Sequence, residues 1–172
     1  MNTPNQPTPD KVVQLITGGW AAAILGSAAK HEVFDALAGE GDDAAGVANK
    51  TGISPRGAQA LLDGLTGVGL VTLSEGRYAN TPEASAFLVK GQPAYLGGMA
   101  EVMTGSLAEW GTLPTAVETG APSAANTTDE VDSEFWHLLV PAIAPLSLPV
   151  AQMTAERLGI AGHDGTVAQV FK

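Results

Sequence analysis

Residues 43–80, DAAGVANKTGISPRGAQALLDGLTGVGLVTLSEGRYAN, decide the fold. Asp43 is placed to cap a short helix carrying Val47 and Ala48. Gly52 stops that helix, and Ile53 tucks under the turn. Ser54 then caps a second helix with Pro55 at its first position, where a missing N–H costs nothing. Ala58, Leu61, Leu62 and Leu65 recur at helical spacing and give this helix a core face. Gly67 and Gly69 end it. Leu70 to Leu73 reads as a strand, Ser74-Glu75-Gly76 as a hairpin turn and Arg77 to Ala79 as the return strand. Helix, turn, helix and two-stranded wing together predict a winged-helix unit in a mainly α protein.

The charges argue against the usual use of that unit. A helix that reads DNA needs several Arg or Lys side chains for phosphates and base edges. Here Arg56 is offset by Asp63, and Arg77 on the wing by Glu75. The chain has 8 basic and 18 acidic residues, a net charge of -10, so a polyanion is repelled at long range. No nucleic-acid partner is expected.

With 172 residues, 45% of them hydrophobic and 15% charged, the chain can bury one good core or one core with an appendage. It has no cysteine, which removes disulfides and thiolate metal sites. Met1 to Asp10 lacks a basic segment leading into an apolar run, and no stretch of about 20 uninterrupted apolar residues occurs. The expectation is a cytoplasmic protein with no membrane partner.

Upstream of the winged unit, Thr8-Pro9-Asp10 starts a helix. Val12, Ile16, Trp20 and Ile24 fall on one line of it, and from Trp20 to Ala29 it is apolar or small on nearly every side. Such a helix needs cover on more than one face. A second copy of the chain is the expected cover, with Val12, Ile16, Trp20 and Ile24 at the interface; the alternative is a central helix wrapped by its own domain. His31 to Leu37 continues as a short helix with Val33, Phe34 and Leu37 inward.

Downstream, Thr81-Pro82 opens a helix whose apolar side is Ala86, Phe87 and Leu88. A longer helix is predicted from Tyr95 past Trp110 to Val117, kinked at Gly111 and Pro114. Residues 119–128 read as a surface loop containing the sequon at Asn126. Glu134 to Ile143 is helical, with Phe135, Trp136, Leu139, Val140 and Ile143 apolar. Pro141, Pro145 and Pro149 should break that region into short pieces. Leu148 to Leu158 is the last predicted helix, with Val150, Met153 and Leu158 inward, and Val167 to Phe171 could start a strand.

No catalytic or metal-ligating set emerges. Glu134 and His137 stand three apart, as in half of a di-metal site, but the other half has no counterpart, so a surface pair is the simpler reading. His31 and His163 are isolated. Asp42-Asp43 and the acidic run at 129–134 sit near helix starts, where the dipole favours them. Met99, Met103, Trp110, Phe135, Trp136 and Met153 form a stripe that serves equally as helix core or as the wall of an apolar pocket.

Four stretches resemble the N-terminal half of the bacterial and plant-type small-molecule O-methyltransferases that use S-adenosylmethionine. They are Ile16 to Trp20 with Ala28 to Leu37; Val47-Ala48 through Leu61 to Leu65, Gly69 to Val71 and Arg77-Tyr78; Thr81 to Glu83 with Phe87-Leu88; and Trp110 to Gly120 with Phe135-Trp136. The likeness covers roughly residues 10–160. It implies a winged-helix dimerisation domain over residues 1–89, and over 90–172 helices that roof an acceptor pocket and lead to a Rossmann-like domain. It implies an intertwined helical homodimer and a small, hydrophobic, aromatic or polyketide-like metabolite as ligand. Met103, Trp110, Phe135, Trp136, Leu139 and Met153 become the pocket residues.

The departure is equally specific. The family holds its cofactor on a Gly-rich strand-to-helix turn. Gly67-Val68-Gly69 stands instead between a helix and the wing, and Gly162-His163-Asp164-Gly165 has no helix after it. No catalytic or cofactor-binding residue is therefore expected in this chain, and S-adenosylmethionine is implied only for a full-length relative. The chain reads as the front half of such an enzyme, inactive by itself. The alternatives are a winged-helix regulator that senses a small molecule and a stand-alone small-molecule-binding protein.

Overall fold

The computed structural model describes residues 7–121 and 134–160. The expected strand at 167–171, the sequon and most of the 119–128 loop, the acidic run before Glu134, Gly162 and His163 lie outside the described residues. So does the side chain on which the pairing of Glu134 with His137 rests.

The first helix, α1, runs Asp10–Lys30, and α2, Val33–Ala36, follows through Glu32 in a left-handed conformation. The helix–turn–helix–hairpin order expected from residues 43–80 is present as α3 (Ala44–Thr51), α4 (Pro55–Gly67), β1 (Val71–Ser74) and β2 (Arg77–Asn80). The caps are those the sequence names. The Asp43 carboxylate accepts from the Gly46 N–H at 2.7 Å, and Ser54 Oγ from the Gly57 N–H at 3.1 Å. Gly52 closes α3 at φ 72°. The hairpin is antiparallel with Ser74 opposite Arg77, so its loop is Glu75-Gly76 alone. Both loop residues have positive φ, 50° and 78°. That twist suits a two-residue hairpin.

Asp42 adds a third rung beside β2, its backbone exchanging hydrogen bonds with Tyr78 at 2.9 and 2.7 Å. Gly41 is what allows this approach: its φ is +73°, and a Cβ there would collide with the Tyr78 carbonyl. The Asp42 carboxylate pairs with Lys50 Nζ at 3.0 Å, and this hydrogen bond holds its pKa below the usual value.

Val33, Phe34, Leu37, Val47, Leu62, Leu65 and Val71 are fully buried, so α2, α3, α4 and β1 share one core, joined by Ala28 from α1. The wing is tied to α4 by a polar triangle. The Tyr78 hydroxyl donates to Asp63 Oδ1 at 2.8 Å and accepts from Gln59 Nε2 at 2.6 Å, while Gln59 also reaches Asp63 at 2.9 Å. Burial and then the Asp63 carboxylate raise the pKa of this hydroxyl. Its folded-state pKa lies above the unfolded one, so its share of stability is complete below about pH 10 and is lost as pH rises through the folded value. Tyr78→Phe should lower stability in urea by about 1 kcal/mol at neutral pH, because Asp63 keeps Gln59 as a donor. The variant should also lose part of the decline that the parent chain shows above pH 10.

Four details depart from the sequence reading. In α5 (Pro82–Phe87) the inward residues are Ala84 and Leu88, with Ala86 and Phe87 exposed. Thr81 caps that helix through the Ala84 N–H, and this register turns positions 84 and 88, four apart, to the hairpin. The predicted Tyr95–Val117 helix is three pieces: α6 (Gly97–Gly105), α7 (Leu107–Trp110) and α8 (Leu113–Thr119). Pro114 does not kink a helix; it sits in the first turn of α8, where its missing N–H is harmless. The region expected to break at its prolines is one helix, α9, Glu134–Arg157. Pro141, Pro145 and Pro149 stand four apart, so the backbone bonds they remove fall on one line and the other faces carry the helix. Finally, Val150, Met153 and Leu158, expected inward, are 60, 50 and 65% exposed. The second half of α9 runs beyond the elements that cover its first half.

By length and composition both α1 and α9 are apolar enough to cross a membrane. The expectation from uninterrupted apolar runs did not single them out, because charges stand only near their ends.

Candidate functional site

Two features stand out: a cleft beside α6 and an uncovered stripe on α1. Helix α6 lies between α1 and α9. Its contact with α1 is close because Gly26 has no side chain: a Cβ there would fall inside Thr104, whose hydroxyl donates to the Ala22 carbonyl at 3.1 Å. On the other side, Gly98 faces Ala142 of α9. A cleft of about 580 Å³ opens along this junction. Helix α1 contributes Gly26, Ser27 and Lys30 to it. Helix α6 contributes Gly98, Glu101, Val102 and Gly105, spaced as one helical face. Ser106 and Glu109 continue that wall, and Phe135 and Leu138 close it from α9. The volume falls in the range of small-molecule sites. The lining is apolar along Val102, Phe135 and Leu138, with hydroxyls, one ammonium and two carboxylates available for hydrogen bonding.

Of the residues expected to form a pocket, Phe135 lines this cleft. Trp136 packs edge-on against Phe135, ring centroids 5.3 Å apart at 72°. Leu139 is half-buried on the same helix. Met103, Trp110 and Met153 are 40, 67 and 50% exposed and are not among the lining residues. The sequence reading missed Gly26, Ser27, Lys30 and the α6 face. It looked for large apolar side chains, whereas this cleft is made largely by small ones.

On α1, Val12, Ile16 and Trp20 are 59, 68 and 69% exposed, and Val13 and Leu15 are exposed beside them. Ile24 behaves differently. It is partly buried, packs on the core of its own chain and lies over Gly64 of α4. The stretch from Trp20 to Ala29 was expected to be too apolar for one chain to cover. Its second part is covered within the chain, with Gly26, Ala28 and Ala29 buried, because α4 and α6 wrap it. The uncovered apolar surface lies earlier on the helix, at 12–20.

Lys90 joins the core to the segment entering α6. Its ammonium donates to Glu32 at 2.5 Å and its N–H to Asp35 at 2.8 Å. The Glu32 partner raises the Lys90 pKa. His31 is exposed at the end of α1. Among the described residues no group of three or more His, Cys, Asp or Glu side chains is placed to hold a metal.

Comparison with known proteins agrees with this architecture. Residues 13–90 match the family model of the O-methyltransferase dimerisation domain. Among curated relatives, the 3-hydroxy-5-methyl-1-naphthoate 3-O-methyltransferase of Streptomyces sahachiroi is 37% identical over 121 residues, covering 70% of this chain and 35% of that protein. Among solved structures, an O-methyltransferase family protein from Burkholderia thailandensis superposes with a TM-score of 0.70 at 24% identity, over 88% of this chain and 46% of that one. Human N-acetylserotonin methyltransferase, solved in complex with SAM, gives a TM-score of 0.59 at 28% identity, over 70% of this chain and 37% of its own. The chain spans about a third of the length of the curated relatives it matches. Residues 13–90 are thus an O-methyltransferase dimerisation domain, and the chain corresponds to the N-terminal part of that family.

Proposed function

We propose that this chain is the dimerisation and acceptor-binding portion of an S-adenosylmethionine-dependent O-methyltransferase acting on a small aromatic or polyketide-like metabolite. The observation that carries it is the uncovered apolar stripe at Val12, Ile16 and Trp20, on the first helix of a segment that matches a dimerisation family. Residues 1–89 form the dimerisation unit of a homodimer. Residues 90–172 supply helices that roof the acceptor, with Phe135 in the cleft wall and Trp136 and Leu139 behind it. Met103, Trp110 and Met153, exposed here, become lining residues where a further domain covers them. The relatives' names supply the substrate class: a hydroxylated naphthoate and N-acetylserotonin are both small aromatic acceptors.

S-adenosylmethionine supplies an electrophilic methyl group. The described residues do not fit it. The two strands form one hairpin, and the glycines before β1 lead from a helix into a strand, the reverse of a phosphate- or nucleoside-cradling turn. In this reading cofactor binding and catalysis belong to a part of the enzyme outside these 172 residues. A regulator that binds DNA is disfavoured because the Arg77 guanidinium donates to the Gly41 carbonyl at 2.8 Å, which holds it on the body of the chain. The apolar faces of α1 and α9 are covered by protein in this reading and not by lipid, and the location is cytoplasmic.

Calorimetric titration of the chain with S-adenosylmethionine tests the division of labour. No isotherm should appear at micromolar concentrations. A micromolar isotherm would place the cofactor site within these residues and overturn it.

A further inference from the structure

Glycines on helices in this chain fall into two groups. Gly26 and Gly98 sit against other helices, where packing explains them. Gly105, the last residue of α6, has no such reason. A Cβ built on it would meet nothing within 4 Å, and its backbone is not in the left-handed region that asks for glycine. It shares a helical face with Gly98, Glu101 and Val102, and that face lines the cleft opposite Phe135. Glycine is a poor helix former, so a helix position that neither packing nor backbone reserves for it calls for another account.

We propose that Gly105 is a specificity-determining residue: the space left by its missing side chain admits the ring edge of a flat aromatic acceptor, which lies between the α6 face and Phe135. This rests on the acceptor reading above and adds to it the shape of the ligand. A planar ring fits between a smooth glycine-containing face and an aromatic wall, whereas a branched aliphatic ligand would leave that gap unfilled. Ser27 and Ser106, on the same cleft, offer hydroxyls to polar substituents at the rim.

The test uses the 172-residue chain with 3-hydroxy-5-methyl-1-naphthoate and N-acetylserotonin as probes, followed by calorimetry and by thermal melts. The parent chain should bind at least one probe. Gly105→Leu fills the gap and should weaken that binding by roughly tenfold to hundredfold, the scale on which overpacking acts, with Gly105→Ala in between. Both variants should melt no lower than the parent, since nothing in the protein obstructs the new side chain. Equal binding by Gly105→Leu and the parent overturns the role of Gly105 and leaves the acceptor reading standing. A large drop in melting temperature for Gly105→Ala overturns it as well, by showing a packing role. A parent chain that binds neither probe removes the acceptor reading and this inference with it.

Discussion

Light scattering behind a sizing column should give the chain a mass of twice 17.4 kDa, and Ile16→Asp should return it to the single-chain mass or leave it aggregated. Val12, Ile16 and Trp20 stand four apart on α1, each more than half exposed, with Val13 and Leu15 beside them. Five large apolar side chains on two and a half turns of helix make a contiguous patch, and such patches mark interfaces. A carboxylate placed at the centre of that patch would be buried without a partner in the dimer, at a cost of several kcal/mol. Because association stabilises the folded state, the melting temperature of the parent should rise with concentration and that of Ile16→Asp should not. Ile24→Asp separates the two surfaces of the helix. Ile24 packs on the core of its own chain, so its aspartate should unfold the protomer at any concentration. A parent chain at the single-chain mass at high micromolar concentration, with Ile16→Asp equally stable, would mean that α1 needs no second copy.

The contact of α1 with α6 should be the most sensitive steric point in the fold. Gly26→Val places methyl groups where the Thr104 side chain now lies, so the two helices must separate and the Thr104 hydrogen bond to Ala22 must break. Overpacking of this kind costs about 1–3 kcal/mol and occasionally more, and the lost hydrogen bond adds about 1 kcal/mol. Urea denaturation followed by circular dichroism reads the loss. Thr104→Gly in the Gly26→Ala background supplies the decisive comparison. If the steric account holds, the double variant is more stable than the sum of the single losses, a coupling of the kind that neighbouring residues show. Simple additivity would mean that the two side chains do not compete for space. The same separation should open the cleft, since Gly26 lines one wall and α6 another.

Much of this molecule is legible locally. Asp43, Ser54 and Thr81 each announce a helix start, because a short polar side chain beside an unpaired N–H needs no distant partner. Gly52 and the Glu75-Gly76 loop announce their own backbone conformations for the same reason. Val47, Leu62 and Leu65 follow from periodicity once the helices are placed. The prolines of α9 and α7–α8 were misread because a proline's effect depends on where its turn begins, and that is set by neighbours such as Thr112 and by the packing of α6 on α9.

The dimerisation unit was thus determined by the sequence: its helices, its wing and the apolar excess of α1 all follow from caps, turns and spacing within a few residues. Only the tertiary structure decided which part of α1 is covered and which is bare, because that depends on α4 and α6 arriving from far along the chain to wrap residues 24–29. It likewise decided the cleft. A cavity is the space left among side chains of three separate helices, and the residues that make it, Gly26, Gly98 and Gly105, carry no side chain from which a sequence pattern could be read.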